Sequence, residues 1–174
     1  PEVPLTKGRS MKNPDAVIDE TTLSVSRTIH ISAPVDKVWA AVTEPEHISR
    51  WFGRAEFYGT TPGSEGTLVF ETRSVPIRIE AVDAPREITY RWSNDDALAS
   101  LPDRLDRTRS TVFTFTLEPV GDGTQLTVVE TGFENTSDPA LNLDAHRHGW
   151  TVELDKLVAL LEGAGNARGD GAVA

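Results

Sequence analysis

The chain has no cysteine. That absence rules out a disulfide framework, thiolate metal sites, a cysteine nucleophile and dithiol redox motifs, and it fits a reducing compartment. Positive charge is scarce as well: 17 Lys and Arg stand against 27 Asp and Glu, a formal net charge of −10. Nucleic-acid affinity comes largely from clustered cations that release counterions, so no nucleic-acid partner is expected. An anionic membrane surface is disfavoured for the same reason. No run approaches the ~20 apolar residues that span a bilayer, so stable membrane insertion is not expected. Pro1 to Ser10 lack the apolar core of a signal peptide. Met11, the one methionine, reads as the natural start, with Pro1 to Ser10 added ahead of it and the cytoplasm as the expected location.

The familiar catalytic signatures are missing too. There is no Gly-x-Ser-x-Gly elbow, no Walker loop and no dinucleotide fingerprint; Gly121-x-Gly123 reads as a hairpin turn. No cofactor is implied. His146 and His148 are two apart on a predicted helix and diverge, unlike the i,i+4 pair that binds zinc, so no metal site is expected.

What remains suits one domain of ordinary size, with 174 residues. Residues 1–21 are polar and aperiodic and read as a flexible tail. Residues 163–174 are rich in Gly, Ala and Asp and read as a disordered one, where Arg168-Gly169-Asp170 is a chance tripeptide. Between them the pattern is clear. Leu23, Val25, Ile29 and Ile31 alternate with polar neighbours, the period of a half-buried strand. Pro34 opens a helix carrying Val35, Val38, Trp39 and Val42, and Glu46 to Phe52 make a second, short one stopped by Gly53. Strands are predicted at 55–60, 66–72, 76–82, 87–92, 110–118 and 125–131, joined by turn residues that favour an antiparallel meander. Ser137 or Asp138 caps a final long helix that Gly163 ends, with Leu143, Arg147, Trp150, Leu154, Leu157 and Leu161 on its inward stripe. The order is β-α-α-β6-α, an α+β fold.

This order comes with motifs. Ile31-Ser32-Ala33-Pro34-Val35-Asp36-Lys37-Val38-Trp39, then Thr43-Glu44-Pro45-Glu46-His47 and Arg50-Trp51-Phe52-Gly53, resemble the opening of the activator of heat-shock-protein-90 ATPase homologue-like family. His146-x-x-Gly149-Trp150 followed by Leu154-x-x-Leu157 is similar to its C-terminal helix. The resemblance covers residues 22–162. It implies a START-like (SRPBCC) helix-grip fold, a curved antiparallel sheet around a long C-terminal helix with a pocket between them. The eukaryotic co-chaperones of that family carry an additional N-terminal domain with no counterpart in this sequence. The expectation is therefore a binding fold rather than ATPase activation.

The resemblance places Trp51, Phe52, Phe57, Phe70, Trp92 and Trp150 around the pocket. Rings also fill cores, so each has a plain packing role beside the binding one; the glycine before Trp150 leaves room for an approach to the helix. Arg147 and His146 are candidate anchors for a ligand carboxylate or carbonyl, and Arg147 equally suits an end-of-core residue with its head in water. Glu130 falls on an apolar strand face, where burial could make it a general base or where it pairs with Arg27. Asn94 to Arg109 is a long connection with Leu98, Leu101 and Leu105 at helical spacing, either a solvated surface or a lid.

The leading expectation is non-enzymatic binding of a small apolar or amphipathic molecule. The alternatives are a polyketide or aromatic cyclase or hydrolase using Glu130 or His146, and a chaperone-accessory interaction module with a protein partner or a second copy of the chain.

Overall fold

The computed structural model describes residues 12–171. Eight strands form one antiparallel sheet in the order β1-β2-β8-β7-β6-β5-β4-β3. They are β1 (Val17–Asp19), β2 (Ser24–Ile31), β3 (Arg54–Phe57), β4 (Glu65–Phe70), β5 (Arg73–Asp83), β6 (Glu87–Trp92), β7 (Thr111–Val120) and β8 (Gly123–Thr131). After β2, helices α1 (Val35–Thr43) and α2 (Pro45–Ile48) carry the chain to the opposite edge of the sheet. From β3 a meander of consecutive neighbours returns until β8 pairs with β2, setting Thr28 opposite Thr127. The last helix, α3 (Pro139–Gly171), packs along β2 and touches α1. This is an α+β helix-grip fold, a curved sheet around a long C-terminal helix.

The core lies between the sheet and α3. Ile29, Phe113, Phe115, Leu126 and Val128 alternate inward from the strands, and Leu143, Trp150, Leu154 and Leu157 meet them from the helix. Their spacing keeps the helical residues on one face, and each such side chain contributes about 1.5–3 kcal/mol on burial. Asp138 begins α3, its carboxylate accepting the N–H of Leu141 at 3.1 Å. Two aromatic donors close the last turn of α1, whose carbonyls have no helical partner. The Trp51 indole donates to Ala41 O at 2.8 Å and the Tyr90 hydroxyl to Val42 O at 2.6 Å.

Three expectations change. Part of the supposed N-terminal tail is structured: Val17–Asp19 add an edge strand to β2, and Ala16 is buried. Its anchors are distant in sequence and leave no local period. Asn13 exchanges hydrogen bonds with the main chain of His30, and Arg27 Nε donates to Pro14 O at 2.6 Å. Gly163 does not end α3, because it does not take the left-handed conformation that stops a helix. The leucines between 94 and 109 do not build a helix. Pro102 interrupts them, and the segment stays irregular except for a single 3-10 turn at Arg107–Arg109. Met11 and the residues before it, and 172–174 of the C-terminal tail, lie outside the described residues.

Candidate functional site

Glu130 is fully buried on the inward face of β8. Its carboxylate accepts from Thr111 Oγ1 at 2.6 Å, Trp92 Nε1 at 2.9 Å, Trp150 Nε1 at 2.8 Å and His146 Nδ1 at 2.9 Å. Both indoles can only donate, and the convergence of four donors favours the ionised carboxylate. On the other side of the ring, His146 Nε2 lies 3.0 Å from Asn94 O and 3.3 Å from Asp96 Oδ2. A carbonyl only accepts, so both ring nitrogens carry protons and His146 is an imidazolium. The electrostatics agree. Burial acts to lower the His146 pKa, but the Glu130 charge, followed by Asp96, pushes it up to about 10. Burial likewise acts to raise the Glu130 carboxyl, and the His146 charge and the converging donors bring it below its ordinary value. Arg27 is not the partner of Glu130. It turns away to Asp155 at 2.7 Å and to the carbonyl of Thr151 at 2.9 Å, tying β2 to α3.

Beside this ion pair lies a cavity of about 180 Å³ between the sheet and α3. Phe52, Phe70, Trp92 and Trp150 supply its aromatic walls, and His146 adds its ring edge. Gly149 opens it: a methyl group at that position would meet no atom within 4 Å. Gly53 has the opposite function, since a Cβ there would stand 3.1 Å from the Phe70 ring; its absence lets Phe70 close in.

Three candidates from the sequence fall outside this wall. Trp51 and Phe57 border an apolar void of about 10 Å³, at the lower limit for one water, and are core residues. Trp51 is committed to Ala41 and stacks on Phe52 with centroids 4.8 Å apart. Arg147 is turned outward, its side chain 35% exposed and paired with Asp144 at 3.2 Å. The helical stripe that reaches the cavity is His146, Gly149, Trp150 and Glu153, one position off the line through Arg147. Glu130 touches no part of the cavity and holds His146 from behind.

The residues missed by sequence reasoning form the rim: Arg73, Asn94, Asp96 and Glu153. Glu153 was accessible from the sequence, seven positions after His146 and three after Trp150. Burial raises its pKa, partly offset by Lys156 2.9 Å away. Arg73 and Asn94 depend on loop geometry and left no pattern. The 94–109 segment is latched beside them by Asp95. Its carboxylate accepts from Ser137 N at 2.7 Å, Asn142 Nδ2 at 2.8 Å and Ala97 N at 3.0 Å. Burial works against its charge, and these bonds prevail to hold its pKa low. Glu44, Glu46 and His47 can bring ligand atoms within 4.8 Å of one another at the exposed start of α2, but no other feature there points to a metal.

Residues 32–162 match the family described as Activator of Hsp90 ATPase homolog 1-like protein. The chain belongs to that family. No curated protein matches this family member significantly. Among solved structures it is similar to CalU16 from Micromonospora echinospora, with 25% identity, a TM-score of 0.61, and coverage of 80% of this chain and 74% of that one. Protein MLL2253 from Mesorhizobium loti is 26% identical with a TM-score of 0.67, covering 80% of this chain and 96% of that one. DynU16, from the dynemicin biosynthetic locus, shares the fold at 23% identity and a TM-score of 0.63, over 80% of this chain and 47% of that one. Among the described residues, no helix is long and apolar enough to cross a membrane.

Proposed function

We propose that the protein binds a small apolar or amphipathic molecule between the sheet and α3. The observation that carries this reading is the ring-walled cavity held open by Gly149. Small-molecule sites are mostly apolar with a few oriented polar groups, and Asn94 and Arg73 supply those groups here. Size limits the occupant. A dry cavity of about 150 Å³ takes benzene, so about 180 Å³ suits one or two rings or a short chain, with anything longer passing the rim.

The Glu130–His146 pair favours binding over turnover. Proton transfer is efficient when the catalytic pKa lies near the working pH. An imidazolium with a pKa of about 10 is a fixed charged donor at neutral pH rather than a base.

Gly149→Leu is the decisive variant, because its Cβ meets open space and the rest of the side chain extends from there into the cavity. Trp150→Ala is a poorer test, since that indole also supports Glu130. Native mass spectrometry of freshly purified protein is expected to reveal a retained small molecule in the wild type and none in Gly149→Leu. The same molecule at ~100 times its Kd stabilises the wild type by ~2.7 kcal/mol, a melting shift of roughly 5–10 °C. Equal retention by both proteins would remove the cavity as the site.

A further inference from the structure

Arg73 stands at the start of β5, two residues after Glu71, whose φ of 56° turns the chain. It walls two cavities. One is the aromatic cavity; the other is a more polar space of about 450 Å³ bounded by Thr72, Ser74, Ser100, Leu101 and Asp103 beneath the 94–109 segment. The guanidinium is held by main-chain oxygens alone, with Nη2 2.6 Å from Asp95 O and Nη1 3.2 Å from Leu98 O. Its Nε is buried and has no hydrogen-bond partner among the described residues. No carboxylate among them forms an ion pair with Arg73. A buried donor left unpaired is costly, and here that cost falls on a residue that lines both an apolar and a polar compartment.

We infer that Arg73 reads the head group of the ligand, and that the ligand is an apolar carboxylic acid. Its hydrocarbon or aromatic body occupies the ring-lined cavity, and its carboxylate meets Arg73 at the border with the polar cavity. The inference rests on the binding reading above and adds the chemical class. A monoanion fits better than a phosphate dianion. The site offers a single guanidinium, while Asp96 lines the aromatic cavity and Asp103 the polar one. A second negative charge on the ligand would meet repulsion without a second cation.

The test titrates 4-phenylbutyrate and its uncharged analogue 4-phenylbutanol into wild type, Arg73→Met and Gly149→Leu, followed by amide chemical shifts. The wild type is expected to bind the carboxylate at least tenfold more tightly. In Arg73→Met the carboxylate falls to the level of the alcohol while alcohol affinity stays unchanged, which also reports an intact cavity. Gly149→Leu weakens both. On the unmodified protein, raising the salt concentration narrows the preference, since a half-buried charge is partly screened. Equal wild-type affinity for the two probes, with both lost in Gly149→Leu, overturns the Arg73 inference and leaves the binding reading standing. A preference that survives Arg73→Met, or that ignores salt, overturns it as well. Binding of neither probe to the wild type overturns both.

Discussion

Two polar regions border the same cavity and are built in opposite ways. Behind it, the Glu130 carboxylate receives four donors, and both nitrogens of His146 are engaged. At the rim, Arg73 keeps an idle N–H and Asp96 is partly open to solvent. The inner region satisfies itself, so its residues serve the fold: they fix the rings of Trp92 and Trp150 edge-on to one carboxylate and thereby shape the wall. The rim leaves a buried donor open. Arg27 makes the contrast sharper, because it has the same side chain as Arg73 but ends on a carboxylate, Asp155, and on three carbonyls. Residue type therefore says little about which polar group is left open, whereas hydrogen-bond completeness says much.

The contrast can be broken most forcefully from behind. Glu130→Leu removes the buried partner of the His146 imidazolium and leaves only the part-exposed Asp96 beside it, which is expected to cost ~3–5 kcal/mol in urea unfolding and on the order of 10 °C in Tm. A loss below ~1 kcal/mol would place the inner region with the rim. The same pair sets a pH window. The folded His146 pKa is raised from 6.5 to about 10, so its contribution is full below 6.5 and is lost as pH rises through about 10. Glu130 is depressed, so its contribution is lost as pH falls through its folded value. Stability measured from pH 8 to about 11 should fall in the wild type and stay flatter in His146→Gln.

Asp95→Ala is expected to have the next largest effect, about 2 kcal/mol for a charged acceptor bonded to three donors. Hydrogen exchange should rise at the amides of Ala97 and Ser137 and leave those of β8 protected. At the rim itself the effects on folding are small. Gly149→Ala adds a methyl to open space within a helix and is expected to stabilise the protein by ~0.5–1 kcal/mol. Arg147→Ala should change stability by less than ~0.5 kcal/mol and leave ligand affinity untouched. A binding defect in that variant would return Arg147 to the site.

The fold was legible because its signals are periodic. Alternation marked β2 and the meander, and Leu143, Trp150, Leu154 and Leu157 marked the buried stripe of α3. β1 escaped because three residues carry no usable period and their anchors, Arg27 and His30, are distant in sequence. Within the site, Phe52, Phe70, Trp92 and Trp150 came from the resemblance and His146 as a candidate anchor, and all five line the cavity. The resemblance placed Trp51 and Phe57 there too, and they pack in the core instead, because a likeness of elements does not distinguish a packed ring from a ring beside a void. Arg73 was invisible, since nothing in its sequence neighbourhood shows that its partners are the carbonyls of Asp95 and Leu98.

The pairing of Thr28 with Thr127 spans 99 residues, and it bears on how the molecule is made. During synthesis at about 5–20 residues per second, β2 emerges roughly 5–20 s before the strand it pairs with. In that interval Val25, Ile29 and Ile31, all buried in the finished protein, have no sheet neighbour on that side. Non-local pairing of this kind slows closure, and an unpaired apolar strand is a template for association with another chain. The β2–β8 seam therefore cannot close until nearly the whole sheet has been synthesised, and until then β2 keeps an open edge.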